Sequence, residues 1–202
     1  MRHIFSDQKK LLDLLKDERP QTGFKSAIDR FLGSNPERGK HFKIGSQKFA
    51  YVSRDKKSIS FVPDLWYGEL SKSPIHWRGC ENWRAGLPLI VFVEMSHKSG
   101  ESPGEIRLDA EVGPVADHNL RKSVIDAIVL SAAAKNLTRI RFQKGASDKG
   151  RLYSRFLHNS SIALANVYDA NEIERTFSAL ISDFTPEFDM VTSAISQFSN
   201  QA

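Results

Sequence analysis

The steepest charge bias in the sequence lies between residues 135 and 155, where one acid, Asp148, stands against seven basic side chains. In the run TRIRF, a strand would place Arg139 and Arg141 on one side, and a second paired strand would bring the later basic residues beside them. Such a surface would neutralise phosphates without reading bases, and its affinity would fall steeply with salt. A solvated sheet face without a partner is the plainer alternative. The predicted nucleic-acid-binding residues are Lys135, Arg139, Arg141, Lys144, Lys149, Arg151 and Arg155.

All the tryptophans of the protein fall in the stretch 64–86, among arginines and a histidine. Rings and guanidinium groups in this mixture could stack unpaired bases, or form a protein-binding hot spot. The alternative is that the rings cover an open end of the core while each indole N–H finds a partner. The candidate stacking residues are Trp66, Trp77 and Trp83.

Metal-dependent nuclease chemistry needs an aspartate and a glutamate to hold magnesium, with a lysine nearby to activate water. Asp64, followed by a strand acid at Glu94 or Glu111, invites the comparison, but neither glutamate has a lysine two positions later. Acids that alternate with apolar residues on one strand are explained by a wet strand face. We therefore predict no catalytic residue and no metal ligand. The sequence favours a non-enzymatic role.

Cys80 is the single cysteine, which excludes an internal disulfide and any multi-thiolate metal site and agrees with a reducing compartment. The histidines are scattered without metal-ligand spacing, and GASDKG lacks the phosphate-loop spacing, so no cofactor is expected. Charged residues interrupt the short apolar runs at the start of the chain, so neither a signal peptide nor a membrane partner is expected. The expected location is the cytoplasm.

The composition predicts a folded chain. The 202 residues carry a net charge of +5 and are 40% hydrophobic, enough for a sizeable core, and this charge permits a polyanionic partner. Helical spacing, alternation and turn residues predict two helices, four strands, a helix, two strands and two helices. The expected helices lie at about 7–16, 24–32, 117–135, 169–184 and 185–198, and the expected strands at about 47–55, 56–63, 88–95, 105–112, 137–144 and 153–167.

This order predicts an α+β fold: a mostly antiparallel sheet of about six strands, with helices packed on one face and a helical pair at each end. Residues 1–38 form an N-terminal helical extension and residues 39–202 the α+β domain, together one compact unit.

Several segments resemble, in their order along the chain and in their residue patterns, a known protein region. The segments are ISFVPDLW, LPLIVFVEM, IRLDAEVGP, the helix after Asp117, and RFQKGASDKGRLYSRFL before DANEIERTFSALISDF. About residues 40–185 resemble the C-terminal accessory region that follows the catalytic domain in some bacterial and phage proteins of the PD-(D/E)XK nuclease superfamily. The resemblance implies an auxiliary DNA-associated or phage-defence role. We expect no companion nuclease domain in these residues, and they lack the catalytic Asp, Glu and Lys set, so no catalytic residue is carried over.

The functional prediction is a non-catalytic nucleic-acid-binding accessory module, with DNA as the favoured partner, linked to phage defence or DNA processing. One alternative is a protein-interaction subunit of a defence or toxin–antitoxin assembly that uses the aromatic segment or the amphipathic C-terminal helix. The other is a divergent magnesium nuclease built on Asp64 with Glu94 or Glu111.

Overall fold

The computed structural model describes residues 22–72 and 77–198. The helix predicted at 7–16 lies outside these ranges. In the described ranges, no helix combines the length and apolar character needed to cross a bilayer. The elements in chain order are α1 (Phe24–Leu32), β1 (His41–Ile44), β2 (Gln47–Arg54), β3 (Ser58–Pro63), α2 (Asp64–Lys72), β4 (Leu89–His97), β5 (Gly104–Val112), α3 (His118–Ala134), β6 (Ser154–Arg155), β7 (Ser161–Leu164), α4 (Ala170–Asp183), α5 (Thr185–Ile195) and a short 3-10 turn (Ser196–Phe198).

The seven described strands form one antiparallel sheet in the order β1, β2, β3, β4, β5. Two short strands then share the outer edge of β5. At one end Glu111 pairs with Arg155 of β6, and at the other Gly104 pairs with Leu164 of β7. The predicted fold class, an α+β fold with a largely antiparallel sheet and helices packed against it, is confirmed.

The two faces of the central strands differ because successive side chains point to opposite sides. Val93 lies opposite Leu108 on one face, and both are fully buried. On this core face, Phe61 of β3 contacts Phe177 of α4, with ring centroids 6.1 Å apart. On the other face, Phe92 pairs with Asp109, and charged residues surround them. This second, polar face carries the candidate site.

The described part of the predicted N-terminal extension is helix α1, and it shares the core of the α+β domain. Phe24 and Ile28 are buried in the same cluster as the sheet residues, and Phe31 packs against Phe177 of α4 at 5.5 Å between centroids. At the solvent-exposed side of this contact between α1 and α4, Arg30 forms an ion pair with Glu174 at 2.6 Å. The helix is therefore joined to α4 by both apolar and ionic contacts.

The strand expected at 137–144 is wrong. The segment runs through turns, and its only ladder contact is an isolated bridge between Ile140 and Leu157. Because β6 and β7 already occupy the outer edge of β5, the backbone of this segment pairs instead with the short connection between those two strands. Helix α2, in a stretch expected to be irregular, and strand β1 were not predicted.

Candidate nucleic-acid interface

The cationic loop, defined as residues 135–153, connects α3 to β6. Helix α3 ends before Asn136, which adopts a left-handed φ of 54° that asparagine tolerates better than most residues. From there the chain passes through successive turns to Gly150. Within the described residues, five of its basic side chains are exposed and make no ion pair: Lys135, Arg141, Lys144, Lys149 and Arg151.

Arg121 of α3 fixes the loop from beneath. Its buried guanidinium donates from Nε to Gly113 O at 3.0 Å, from Nη1 to Ala146 O at 2.7 Å, and from Nη2 to Ser154 Oγ at 2.8 Å. Burial lowers the pKa of Arg121, and the nearby charge of Arg151 lowers it further. Ala146 and Ser154 lie on either side of the loop tip. The Arg121 side chain therefore holds the two ends of the tip segment together, and we call this point the neck of the loop.

Arg139 is not part of the exposed set. Its guanidinium binds both carboxylate oxygens of Glu187 at 2.8 Å, contacts the Asp183 carboxylate, and lies 3.9 Å from the centroid of the Phe184 ring. The hydrogen bonds that Arg139 donates to Glu187 and Asp183 raise its pKa against the opposing effect of burial. The expectation that Arg139 and Arg141 lie together on one strand face is therefore wrong, and Arg139 attaches the loop to α4 and α5.

Arg155 of β6 lies on the polar face of the sheet, inside a group of carboxylates. Its Nη1 is 3.1 Å from Asp109 and 3.5 Å from Glu94, and its Nε is 3.6 Å from Glu111. Its Cζ lies 4.4 Å from the centroid of the Phe92 ring. The guanidinium group therefore lies between these carboxylates and the Phe92 ring.

Asp109 lies under this network with only 1% of its side chain exposed. Its Oδ2 accepts from Arg155 and, at 2.9 Å, from Nη2 of Arg107, whereas Oδ1 has no hydrogen-bond partner in the described structure. Burial raises the pKa of Asp109, and the two arginines oppose this only in part. Burial also raises the pKa of Glu111. The carboxylates are therefore held in place against an unfavourable loss of hydration.

Two adjoining cavities open on the polar face. The first, of about 310 Å³, is lined by Arg107, Gln143, Arg155 and His158, among others. The second, of about 220 Å³, is lined by Gln143, Arg155 and Arg151, among others. Because they share Gln143 and Arg155, we describe them as one feature, the sheet groove. The cationic loop forms one wall of it, since Nε2 of His158 donates to the carbonyl of Arg141 at 3.1 Å.

The tryptophans predicted to stack bases have no open ring face. Trp66 is fully buried and donates from Nε1 to Phe188 O at 3.0 Å, and Trp77 is buried and donates to Leu70 O at 3.1 Å. Trp83 is buried against Gly113, where an added Cβ would lie 2.2 Å from the ring. Stacking needs a ring face that a base can reach, so the stacking prediction for all three residues is corrected: they cover the core.

The acids considered for a magnesium site lie in different surroundings. Asp64 accepts from Nδ1 of His41 at 2.9 Å, whereas Glu94 and Glu111 both pair with Arg155. Within the described residues, no group of three or more potential ligands is placed to hold a metal ion. Cys80 is buried, and burial together with Glu81 raises its pKa to about 12.

The sequence did not identify Arg107, Gln143 and His158 as site residues. The alternation of β5 does place Arg107 on the same face as Asp109, so that signal was present. Gln143 and His158 line the groove because of the course of the loop and the bridge between Ile140 and Leu157. No local sequence pattern predicts either feature.

Comparison with known proteins gives no relative for this arrangement: no protein-family model, curated protein or solved structure matches the chain.

Proposed function

We propose that the protein is a non-catalytic nucleic-acid-binding module whose cationic loop contacts the phosphate backbone. The observation that carries the proposal is the set of five exposed basic side chains that make no ion pair within the described residues. An arginine or lysine already paired with a carboxylate must lose that partner before it can bind a phosphate. An unpaired one exchanges only hydration and counterions, and the release of counterions favours binding.

The attachment of the loop supports the proposal. Arg121 holds its neck, and Arg139 holds its start against α4 and α5. A loop fixed at two points keeps its charges at defined separations, so less conformational freedom is lost when a strand binds.

The sheet groove is unsuited to phosphates. Arg107 and Arg155 pair with Asp109, Arg155 also lies near Glu94 and Glu111, and Glu105 lines the larger cavity. With Arg84, whose Cζ is 5.6 Å from the Phe92 ring and whose charge acts on Glu111, three positive and four negative charges leave no excess to attract an anion. In this proposal the backbone therefore follows the loop and not the floor of the groove.

DNA is the favoured partner, and phage defence or DNA processing in the cytoplasm is the proposed setting. The support is the resemblance of about residues 40–185 to the accessory region of PD-(D/E)XK nuclease proteins, with the reduced state expected for Cys80.

The described structure gives the alternatives less support. In the aromatic segment named for a protein partner the tryptophans are buried and only Leu65 and Tyr67 among the large apolar side chains described there are exposed, and in α5 the apolar stripe of Phe188, Val191 and Ile195 is buried as well. The acids named for magnesium are divided between His41 and Arg155. We therefore propose no second function.

The test is binding of short single- and double-stranded DNA and RNA at several salt concentrations. The variant Lys144→Glu/Lys149→Glu/Arg151→Glu reverses three loop charges, and Lys48→Glu/Lys56→Glu/Lys57→Glu makes the same change of charge around the β2–β3 hairpin. Each lost phosphate contact lowers the slope of log affinity against log salt by about 0.7 on a single strand, so the loop variant should lose about 2 from it. Equal binding by both variants would remove the loop from the interface.

A further inference from the structure

Arg155 is anchored unusually well for an exposed arginine. Three carboxylates lie within 3.6 Å of its Nη1 and Nε atoms, the nearest being Asp109 at 3.1 Å. The Phe92 ring packs against the group, with Cζ 4.4 Å from the ring centroid. Even so, 42% of the side chain remains exposed.

The exposed part of Arg155 faces the sheet groove, because this residue lines both of its cavities. With Phe92 on one side and carboxylates near Nη1 and Nε, the surface left for the groove comprises the side opposite Phe92 and the Nη2 group, for which the described residues show no acceptor. A guanidinium plane with an open face is one of the surfaces on which unpaired bases stack in single-stranded nucleic acids.

We infer that the open face of Arg155 is a stacking platform for one unpaired base, so that the module binds single strands with a base in the sheet groove. The inference rests on the proposed function and specifies its substrate class. The backbone lies along the cationic loop, which forms one wall of the groove. A base stacked within a duplex cannot reach the platform unless it is first extruded.

The charges of the groove favour a base over a phosphate. A base is neutral, so the four carboxylates do not repel it. Its edge needs both donors and acceptors, and the larger cavity offers Arg107 as donor, Glu105 as acceptor and Gln143 as both. The volume of about 310 Å³ is at the lower end of the range for ligand cavities, which fits one nucleoside better than several.

The fixed carboxylates acquire a role in this account. An isolated arginine would turn its N–H groups toward phosphates, whereas Asp109, Glu94 and Glu111 hold the Nη1 and Nε groups of Arg155 on the floor of the groove. The guanidinium is then ready to accept a base without reorganisation, and its charge is already balanced.

The experiment compares single-stranded DNA of about 12 nucleotides, near the upper end of the usual site sizes, with the same strand made entirely of abasic residues. Both probes carry the same phosphates. Cation–π stacking contributes about 1 kcal/mol, so wild type should bind the abasic strand about five-fold more weakly. Equal affinities for the two strands would overturn the inference without any variant.

Arg155→Lys keeps the positive charge among the carboxylates and removes the planar face. It should bind both strands with nearly equal affinity and keep the wild-type salt slope, with folding checked by thermal unfolding. A variant that still prefers the base-bearing strand five-fold would contradict the stacking role. Arg175→Lys, an exposed position on α4, is the matched control and should retain the preference.

Failure of this inference is distinguishable from failure of the proposed function. If binding depends on salt and on the loop lysines but not on bases, the groove is not a base site while the loop remains the interface. If no strand binds wild type with a salt-dependent affinity, the proposed function itself is wrong.

Discussion

Replacing Arg139 with alanine removes the contact that joins the cationic loop to α4 and α5. Arg139 was predicted to bind nucleic acid, and the structure uses it to pair with Glu187, which is only 2% exposed. Arg139→Ala therefore leaves a buried carboxylate without its cation and deletes the guanidinium that covers Phe184.

The size of the effect follows from this burial. Removing one partner of a buried ion pair destabilises a protein by about 3–5 kcal/mol, because the remaining charge stays unhydrated. Arg139 itself is 25% exposed, so water can reach part of the site and the lower half of that range applies. For a domain of this size, about 3 kcal/mol lowers Tm by about 6–12 °C.

Urea denaturation of wild type, Arg139→Ala, Glu187→Gln and the double variant measures the coupling directly. The double variant should be more stable than the sum of the single effects predicts, because Glu187→Gln removes the stranded charge. Arg175→Ala is the control and should change the free energy of unfolding by less than about 0.5 kcal/mol, as an exposed helix position does. If Arg139→Ala is as stable as this control, the ion pair does not hold the loop.

The remaining predictions concern two buried groups. Since burial raises the pKa of Asp109 above 3.8, the native state binds more protons than the unfolded state between 3.8 and the raised value, so stability falls as pH rises through that window. Asp109→Asn lacks this loss, so its stability relative to wild type in urea unfolding should increase with pH; a constant difference would show that Asp109 has an ordinary pKa. Cys80, with a pKa near 12, should resist a thiol-specific reagent in the native protein and react promptly in urea, and rapid native labelling would mean that the thiol is accessible.

Strands β2 to β5 and most helices were predictable because their signals are local. Strict alternation in β5 gives buried Ile106, Leu108 and Ala110 on the core face. The caps were also visible, since Asp117 and Asp169 accept backbone N–H groups at the starts of α3 and α4 as their sequence positions indicate. These features depend on residues within a few positions of one another.

The failures arise where distant residues decide the outcome. Helix α2 buries only Trp66 and Leu70, too short a stripe to stand out from an irregular segment. The alternating run TRIRF predicted a strand, but in the structure it forms a single bridge, because β6 and β7 already occupy the edge of β5. A local sequence pattern does not show whether other strands already occupy the edge of a sheet.

The candidate site was half predictable for the same reason. Exposure of the loop lysines follows from their charge, and the sequence identified them. The partners of Arg139 lie 44 and 48 residues away, and Arg155 meets Glu94 and Asp109 only through the pairing of β4, β5 and β6. Whether a basic residue is free or paired is therefore a property of the fold.

The most direct test of the account is the salt dependence of single-stranded DNA affinity, measured side by side for wild type, the triple loop reversal and the triple hairpin reversal. The account predicts a steep slope for wild type, nearly the same slope for the hairpin variant, and a slope reduced by about 2 for the loop variant. A loop variant that keeps the wild-type slope, or a wild type that binds no strand at low salt, would contradict it.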